Sequence, residues 1–199
     1  MPTPLHIPVI IGSTRQGRFS EKPAGWMHDA LQQLPDVTTE LLDLRDYELP
    51  FYNQAITPSR RTSLPDVPHL KEWSDKIAAA DGFIIVTPEY NHGYPAVLKN
   101  AIDWLYSEWK YKPVGFIGYG SSLGARSIEQ LRQVVIEVGM MPIRSALQIP
   151  SDVFRASLKP DTVFDPAIFT TAFTKPTDRL AGFLKEITGY AQAARALRG

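Results

Sequence analysis

The 199-residue chain contains no cysteine. That absence removes disulfides, thiolate nucleophiles and thiolate metal sites together, and it suits a reducing compartment. Neither sign of charge is in surplus, with 21 Lys and Arg against 21 Asp and Glu. Binding a nucleic-acid backbone needs a basic excess, so no nucleic-acid partner is expected. Long apolar runs are also missing: Val9-Ile10-Ile11 and Phe83-Ile84-Ile85-Val86 are far shorter than the ~20 residues that span a bilayer. The start, Met1-Pro2-Thr3-Pro4, has no basic segment leading into an apolar stretch. No signal peptide and no membrane partner are therefore expected, and the chain reads as cytoplasmic. The histidines, His6, His28, His69 and His92, show no metal-ligand spacing, so no metal is expected.

What is present alternates. Five apolar stretches read as strands: Pro8 to Ile11, Val37 to Leu44, Phe83 to Val86, Pro113 to Tyr119 and Pro142 to Ile149. The runs at 8–11 and 83–86 are apolar throughout, as strands covered on both faces are. Pro8 lacks an N–H for a ladder and belongs at the start of its strand. Between these stretches lie helical stripes. Leu70, Trp73 and Ile77 form one; Val97, Leu98, Ala101, Ile102 and Leu105 another, with Pro95 placed as a first helical residue. Ile128, Leu131, Val134, Val135 and Val138 precede Gly139, a C-cap glycine. Pro176 opens the last stripe, Leu180, Phe183, Leu184 and Ile187, while Trp26, Ala30 and Leu34 mark a poorer one after the first strand.

The order βαβαβαβαβα predicts an α/β fold, a parallel sheet with helices on both faces. Right-handed crossovers then favour a flavodoxin-like three-layer sandwich whose five-stranded parallel sheet runs 2-1-3-4-5. Residues 1–199 are expected to form a single domain. Two stretches, Arg45 to Pro68 and Ser151 to Lys175, are rich in Pro, Ser, Thr and Asp and read as irregular loops of functional length.

Ligands in such sheets lie at the carboxyl ends of the strands. After the first strand comes Gly12-Ser13-Thr14-Arg15-Gln16-Gly17-Arg18-Phe19-Ser20: glycines, hydroxyls and two guanidinium groups just before a helix. Backbone N–H groups at a helix start attract a phosphate. A solvated turn that merely contains Ser and Arg is the plainer alternative. Gly12 and Gly17 have the Walker spacing, but Arg18-Phe19 replaces the Lys and hydroxyl that spacing requires. After the third strand, Thr87-Pro88-Glu89-Tyr90-Asn91-His92-Gly93-Tyr94-Pro95 offers successive amides and an aromatic ring. A flavin needs both, a flat wall and N–H donors toward its polar edge. After the fourth strand, Gly120-Ser121-Ser122-Leu123-Gly124 matches the G-x-S-x-G of a serine hydrolase. That chemistry places a histidine after the serine, and none follows Ser122. A glycine-rich loop that admits a ring closely explains the same residues.

Three segments together resemble the NAD(P)H-dependent FMN reductase family, whose members include quinone, azo-dye and chromate reductases. They are Gly12 to Arg18; Pro88 to Pro95 with Leu98-Lys99-Asn100-Ala101-Ile102-Asp103; and Lys112-Pro113 followed by Gly118-Tyr119-Gly120. Two departures stand out: Gln16 where proline is common, and Ser121-Ser122-Leu123 in place of a more glycine-rich run. The resemblance implies that Ser13, Arg15, Gly17, Arg18, Phe19 and Ser20 hold the phosphate of one FMN. It implies that Pro88, Glu89, Tyr90 and Asn91, with Gly120, Ser121, Ser122 and Gly124, surround the ring, Glu89 through its backbone. It also implies NADPH or NADH as co-substrate, hydride passing through flavin N5 to small acceptors, and no catalytic side chain. A homodimer or homotetramer is implied too, with Trp104, Tyr106, Trp109 and Tyr111 either covering a neighbouring flavin or packing in the core. The rival expectations are a flavodoxin-type electron carrier, for which the chain lacks an acidic docking surface, and a non-enzymatic FMN-binding interaction protein.

Overall fold

The computed structural model describes residues 3–158, 164–174 and 177–198. Its large sheet is parallel and five-stranded, from β2 (Val9–Ile11), β4 (Leu41–Asp43), β5 (Phe83–Pro88), β6 (Pro113–Tyr119) and β7 (Met141–Gln148), in the order β4-β2-β5-β6-β7. A second, two-stranded parallel sheet pairs β1 (Leu5–His6) with β3 (Val37–Thr38). Numbered over all seven strands, the large sheet thus runs 4-2-5-6-7, not the expected 2-1-3-4-5. The discrepancy comes from the two added strands, since the large sheet's own five run second, first, third, fourth, fifth along the chain.

The reason for the extra strands is local. Pro8 cannot donate to a ladder and separates β1 from β2. Thr39 and Glu40 likewise part β3 from β4, so the expected strand over 37–44 is two short ones. β5 runs two residues further than expected, with Pro88 paired to Tyr119.

Helices cover both faces. Leu70, Trp73 and Ile77 of α2 (Leu70–Ala79) pack with Leu98 and Ile102 of α3 (Ala96–Asp103) and with Leu131 and Val135 of α4 (Ala125–Glu137) on one side. Met27 and Leu31 of α1 (Glu21–Gln32) pack with Phe183 and Ile187 of α7 (Arg179–Arg198) on the other. Pro95 is the residue just before α3, and Gly139, at φ +77°, follows the end of α4 as a C-terminal glycine should. Trp104 and Trp109 are wholly buried in the first core, which assigns both to packing, while Tyr111 is half-exposed before the start of β6, at the sheet's amino edge.

The stretch 151–175 is corrected. It carries α5 (Ser151–Ala156) and α6 (Ala167–Thr174), whose Phe169 and Phe173 are fully buried against Trp26. Two phenylalanines four apart make an apolar stripe that the surrounding Pro and Asp obscure. The expected C-terminal stripe of Leu180, Phe183, Leu184 and Ile187 lies on α7, and only its opening residue, Pro176, lies outside the described residues. No helix among the described residues is long and apolar enough to cross a membrane.

Candidate functional site

Three loops meet at the carboxyl edge of the large sheet, following β2, β5 and β6. Gly12 starts the first, its N–H bonded to the Val86 carbonyl at 2.9 Å. A Cβ there would lie 2.8 Å from that oxygen and 3.0 Å from Leu98, so only glycine fits between β5 and α3. The loop turns at Gly17 (φ +64°) and enters α1 at Ser20. Among the described residues, the amides of Ser13, Thr14, Gln16, Gly17 and Phe19 have no protein acceptor, while that of Ser20 faces the Tyr119 hydroxyl. Such a run of free donors at a helix start is what an anion requires.

Hydroxyl pairs tie this loop to the other two. Ser13 Oγ lies 2.8 Å from the Tyr90 hydroxyl, and Ser20 Oγ lies 3.0 Å from the Tyr119 hydroxyl. Ser20 therefore does not use its side chain to cap α1. Burial pushes the Tyr119 hydroxyl up to about 12 against the opposing Ser20 bond, so it keeps its proton at neutral pH. Phe19 is buried against the Tyr119 and Phe154 rings, with centroids 4.9 Å away in each case. Its side chain anchors the loop from below.

The second loop is a tight hairpin. Tyr90 and Gly93 exchange both backbone bonds, at 2.8 and 3.0 Å, around Asn91 (φ +50°) and His92 (φ +70°). Two successive positive φ angles make a type I′ turn. The amides of Asn91 and His92 have no acceptor among the described residues.

The third loop begins at Gly120 (φ +134°) and ends at Gly124 (φ +70°). A Cβ on Gly124 would sit 2.7 Å from the Tyr119 nitrogen, so the backbone itself forbids a larger residue. The amides of Gly120, Ser121 and Ser122 are again without protein acceptors among the described residues.

Glu89 does more than its backbone suggested. Its N–H donates to the Tyr119 carbonyl at 3.1 Å. Its nearly buried carboxylate accepts from the Arg126 amide at 3.1 Å and from Arg126 Nη1 at 2.6 Å. It thus caps α4 and fixes the second loop to the third.

Arg18 is the clear correction. Expected to reach a phosphate, its side chain is buried and bonded to Asp43, Glu21 and the Ser13 carbonyl. An Asp at the end of the neighbouring strand competes successfully for it. Arg15, in contrast, is exposed, its guanidinium 5.9 Å from the centre of the Tyr90 ring. Beside Thr14 opens a cleft of about 310 Å³, between Leu44, Tyr47 and Leu49 on one side and Val97 and Ala101 on the other. Sequence reasoning named none of these as site residues, although Leu44 and Tyr47 directly follow the strand β4, where ligands gather.

Comparison with known proteins sets this edge in context. Residues 5–153 match the family model described as NADPH-dependent FMN reductase. The chain belongs to that family. It is 37% identical over 169 residues to an NAD(P)H-dependent FMN reductase of Schizosaccharomyces pombe, a match spanning 84% of this chain and 80% of that protein. It is 37% identical over 127 residues to a 2-hydroxy-1,4-benzoquinone reductase of a Burkholderia species, spanning 61% of this chain and 62% of the other. Among solved structures, the flavoenzyme NAD(P)H:(acceptor) oxidoreductase FerB of Paracoccus denitrificans superposes with a TM-score of 0.67 at 26% identity, covering 96% of this chain and 98% of that one. Members of this family use FMN and NAD(P)H, and the chain is an oxidoreductase. Its residues fit that cofactor: free amides at a helix start for a phosphate, and further free amides on two loops beside Tyr90 for a ring.

Proposed function

We propose that the chain acts as a single FMN-binding domain that moves electrons from NADPH or NADH to small acceptors, quinones first among them. Free flavin, azo compounds and metal oxyanions suit the same open edge. The observation that carries this reading is the joining of three donor-rich loops by Ser13–Tyr90 and Ser20–Tyr119. The likeness to a quinone reductase supports the acceptor class.

In this reading Ser13, Arg15, Gly17, Phe19 and Ser20 form the phosphate end, Phe19 by anchoring the turn. Pro88, Glu89, Tyr90 and Asn91 line one side of the ring, and Gly120, Ser121, Ser122 and Gly124 the other. Bound FMN supplies the two-electron chemistry between nicotinamide and acceptor. The protein's part is placement: its loops hold the reactants in contact and its preset amides stabilise charge, with no side chain required as acid or base. The cleft beside Thr14, mostly apolar, is of a size to admit a small ring compound. Phe51 and Ile56, 76% and 62% exposed on the 45–68 stretch, are large apolar groups that a second copy in a homodimer or homotetramer would cover. The reading places the enzyme in the cytoplasm, where nicotinamide cofactors are supplied.

The test is optical. Purified protein should show the absorbance of bound oxidised flavin, lose it on adding NADPH or NADH, and regain it with benzoquinone. Colourless protein that takes up no added FMN overturns the cofactor assignment. Coloured protein that neither nicotinamide bleaches overturns the reductase reading in favour of a carrier.

A further inference from the structure

Arg18 and Arg45 grip the back of the first loop. Arg18 Nη1 donates to the Ser13 carbonyl at 2.5 Å and to Asp43 Oδ1 at 2.7 Å, Nη2 reaches Asp43 Oδ2, and Nε donates to Glu21 at 2.9 Å. Arg45 comes from the segment after β4. Its Nε donates to the Thr14 carbonyl at 3.3 Å, Nη2 to the Arg15 carbonyl at 2.6 Å and Nη1 to Glu21 at 3.1 Å, while its amide donates to Asp43 Oδ1 at 2.9 Å. Three successive carbonyls, those of residues 13, 14 and 15, therefore end on guanidinium donors.

Peptide planarity turns this into a statement about the opposite side of the loop. In a trans peptide the N–H of residue i+1 is antiparallel to the C=O of residue i. Holding the three carbonyls toward the arginines points the amides of Thr14, Arg15 and Gln16 away from them. Those of Thr14 and Gln16 have no protein acceptor among the described residues, and that of Arg15 makes only a 3.4 Å contact with Ser13 Oγ. Successive outward amides form an anion-binding concavity.

We propose that Asp43, Arg18 and Arg45 are positioning residues that preset the phosphate end of the FMN site without touching the cofactor. This rests on the FMN reading above. Asp43 is the fixed point, because it closes β4 directly opposite Ile11, the last residue of β2. Burial alone would raise its carboxyl; the Arg18 bonds and the Arg45 amide outweigh that and hold it below its ordinary value. The two arginines are balanced by Asp43 and Glu21, so the cluster orients donors without adding net charge. The free positive charge at the loop is Arg15, whose side chain has no hydrogen-bond partner among the described residues.

A preset phosphate end discriminates between FMN and riboflavin, which share the ring but not the phosphate. The experiment follows FMN release from diluted holoenzyme by flavin fluorescence, and retention of each flavin by protein reloaded with FMN or riboflavin. Arg45→Met, an exposed position whose loss leaves the Arg18–Asp43 pair intact, is the main variant; Asp43→Asn is the second. Arg45→Met should weaken FMN by about tenfold or more and riboflavin by less than twofold. Equal weakening of both flavins would reveal a merely structural role and overturn the proposal, as would no weakening of either. Wild-type protein that retains no FMN would remove the cofactor reading and this proposal with it; wild-type protein that retains FMN as tightly as Arg45→Met removes the proposal alone.

Discussion

The hydroxyl pairs at the loop bases are where single atoms decide the geometry. Ser13 is wholly buried, and its bond to Tyr90 links segments 77 residues apart. Removing one partner strands the other, at a cost of about 1–3 kcal/mol for a buried polar group, whereas removing both is nearly neutral. A double-mutant cycle with Ser13→Ala and Tyr90→Phe should therefore show a coupling of about 2 kcal/mol or more in urea unfolding of the apoprotein. Strictly additive losses would mean the bond contributes nothing. This scale was only half legible in the sequence. The three loops could be found because Gly-Ser-Thr-Arg, Pro-Glu-Tyr-Asn and Gly-Ser-Ser each follow an apolar run directly. Side-chain direction could not: Arg15 stays free and Arg18 turns inward because Asp43, 25 residues later, closes the adjacent strand. One signal was available. In Leu41-Leu42-Asp43 a charge ends an apolar strand, and such a charge needs a partner.

Elements were more readable than residues, because amphipathic stripes follow directly from burial on one side. What escaped were short elements, β1, β3, α5 and α6, too brief for a period to declare itself. Of these, β1 is tied to α7 by a clamp at the amino edge of the sheet, opposite the three loops. Asp81 accepts from the His6 amide at 2.8 Å and from Arg195 Nη2 and Arg198 Nη2 of α7 at 2.7 and 2.5 Å. Burial pushes its carboxyl up, but these bonds and charges outweigh it and leave the group below its ordinary 3.8. A depressed carboxyl contributes fully above its unfolded value and loses that contribution as pH falls through its folded one. Asp81→Asn should thus cost about 2 kcal/mol at pH 7, and the two proteins' urea midpoints should converge only well below pH 3.8. A constant gap down to the acid transition would refute the clamp. Lys112 shows the opposite sign. Its Nζ donates to the Ile77 and Ala78 carbonyls at 2.5 and 2.8 Å, ending α2 from the start of β6. Burial, aided by the Arg198 charge, lowers it from 10.5 to about 8. Between those values the unfolded chain binds more protons, so this group's contribution to stability rises with pH. Wild type should gain roughly 2–3 kcal/mol over Lys112→Met between pH 8 and 10.5. Parallel stability curves for the two proteins across that range would show that the lysine titrates normally.

At the scale of the whole molecule the two edges of the sheet differ. Salt-bridge clamps hold both, and the carboxyl edge also carries positive-φ turns and amides that have no protein acceptor among the described residues. Residues held at positive φ there, Asn91, His92 and Leu123, add to the cost of folding that edge. A ligand that bonds all three loops offsets this cost, because it acts only on the folded state in which β2, β5 and β6 are adjacent. At a free FMN concentration about a hundred times its dissociation constant, mass action adds about 2.7 kcal/mol. For a domain of this size that corresponds to a rise in Tm of roughly 5–10 °C. Riboflavin at equal concentration should raise Tm less, since it leaves the free amides of the first loop, those of Ser13, Thr14, Gln16, Gly17 and Phe19, unbonded. Thermal melts of apoprotein with each flavin measure both shifts. Equal shifts would place the bound cofactor's stabilising contacts on the ring loops alone, and no shift at saturating FMN would mean that the three loops do not share one ligand.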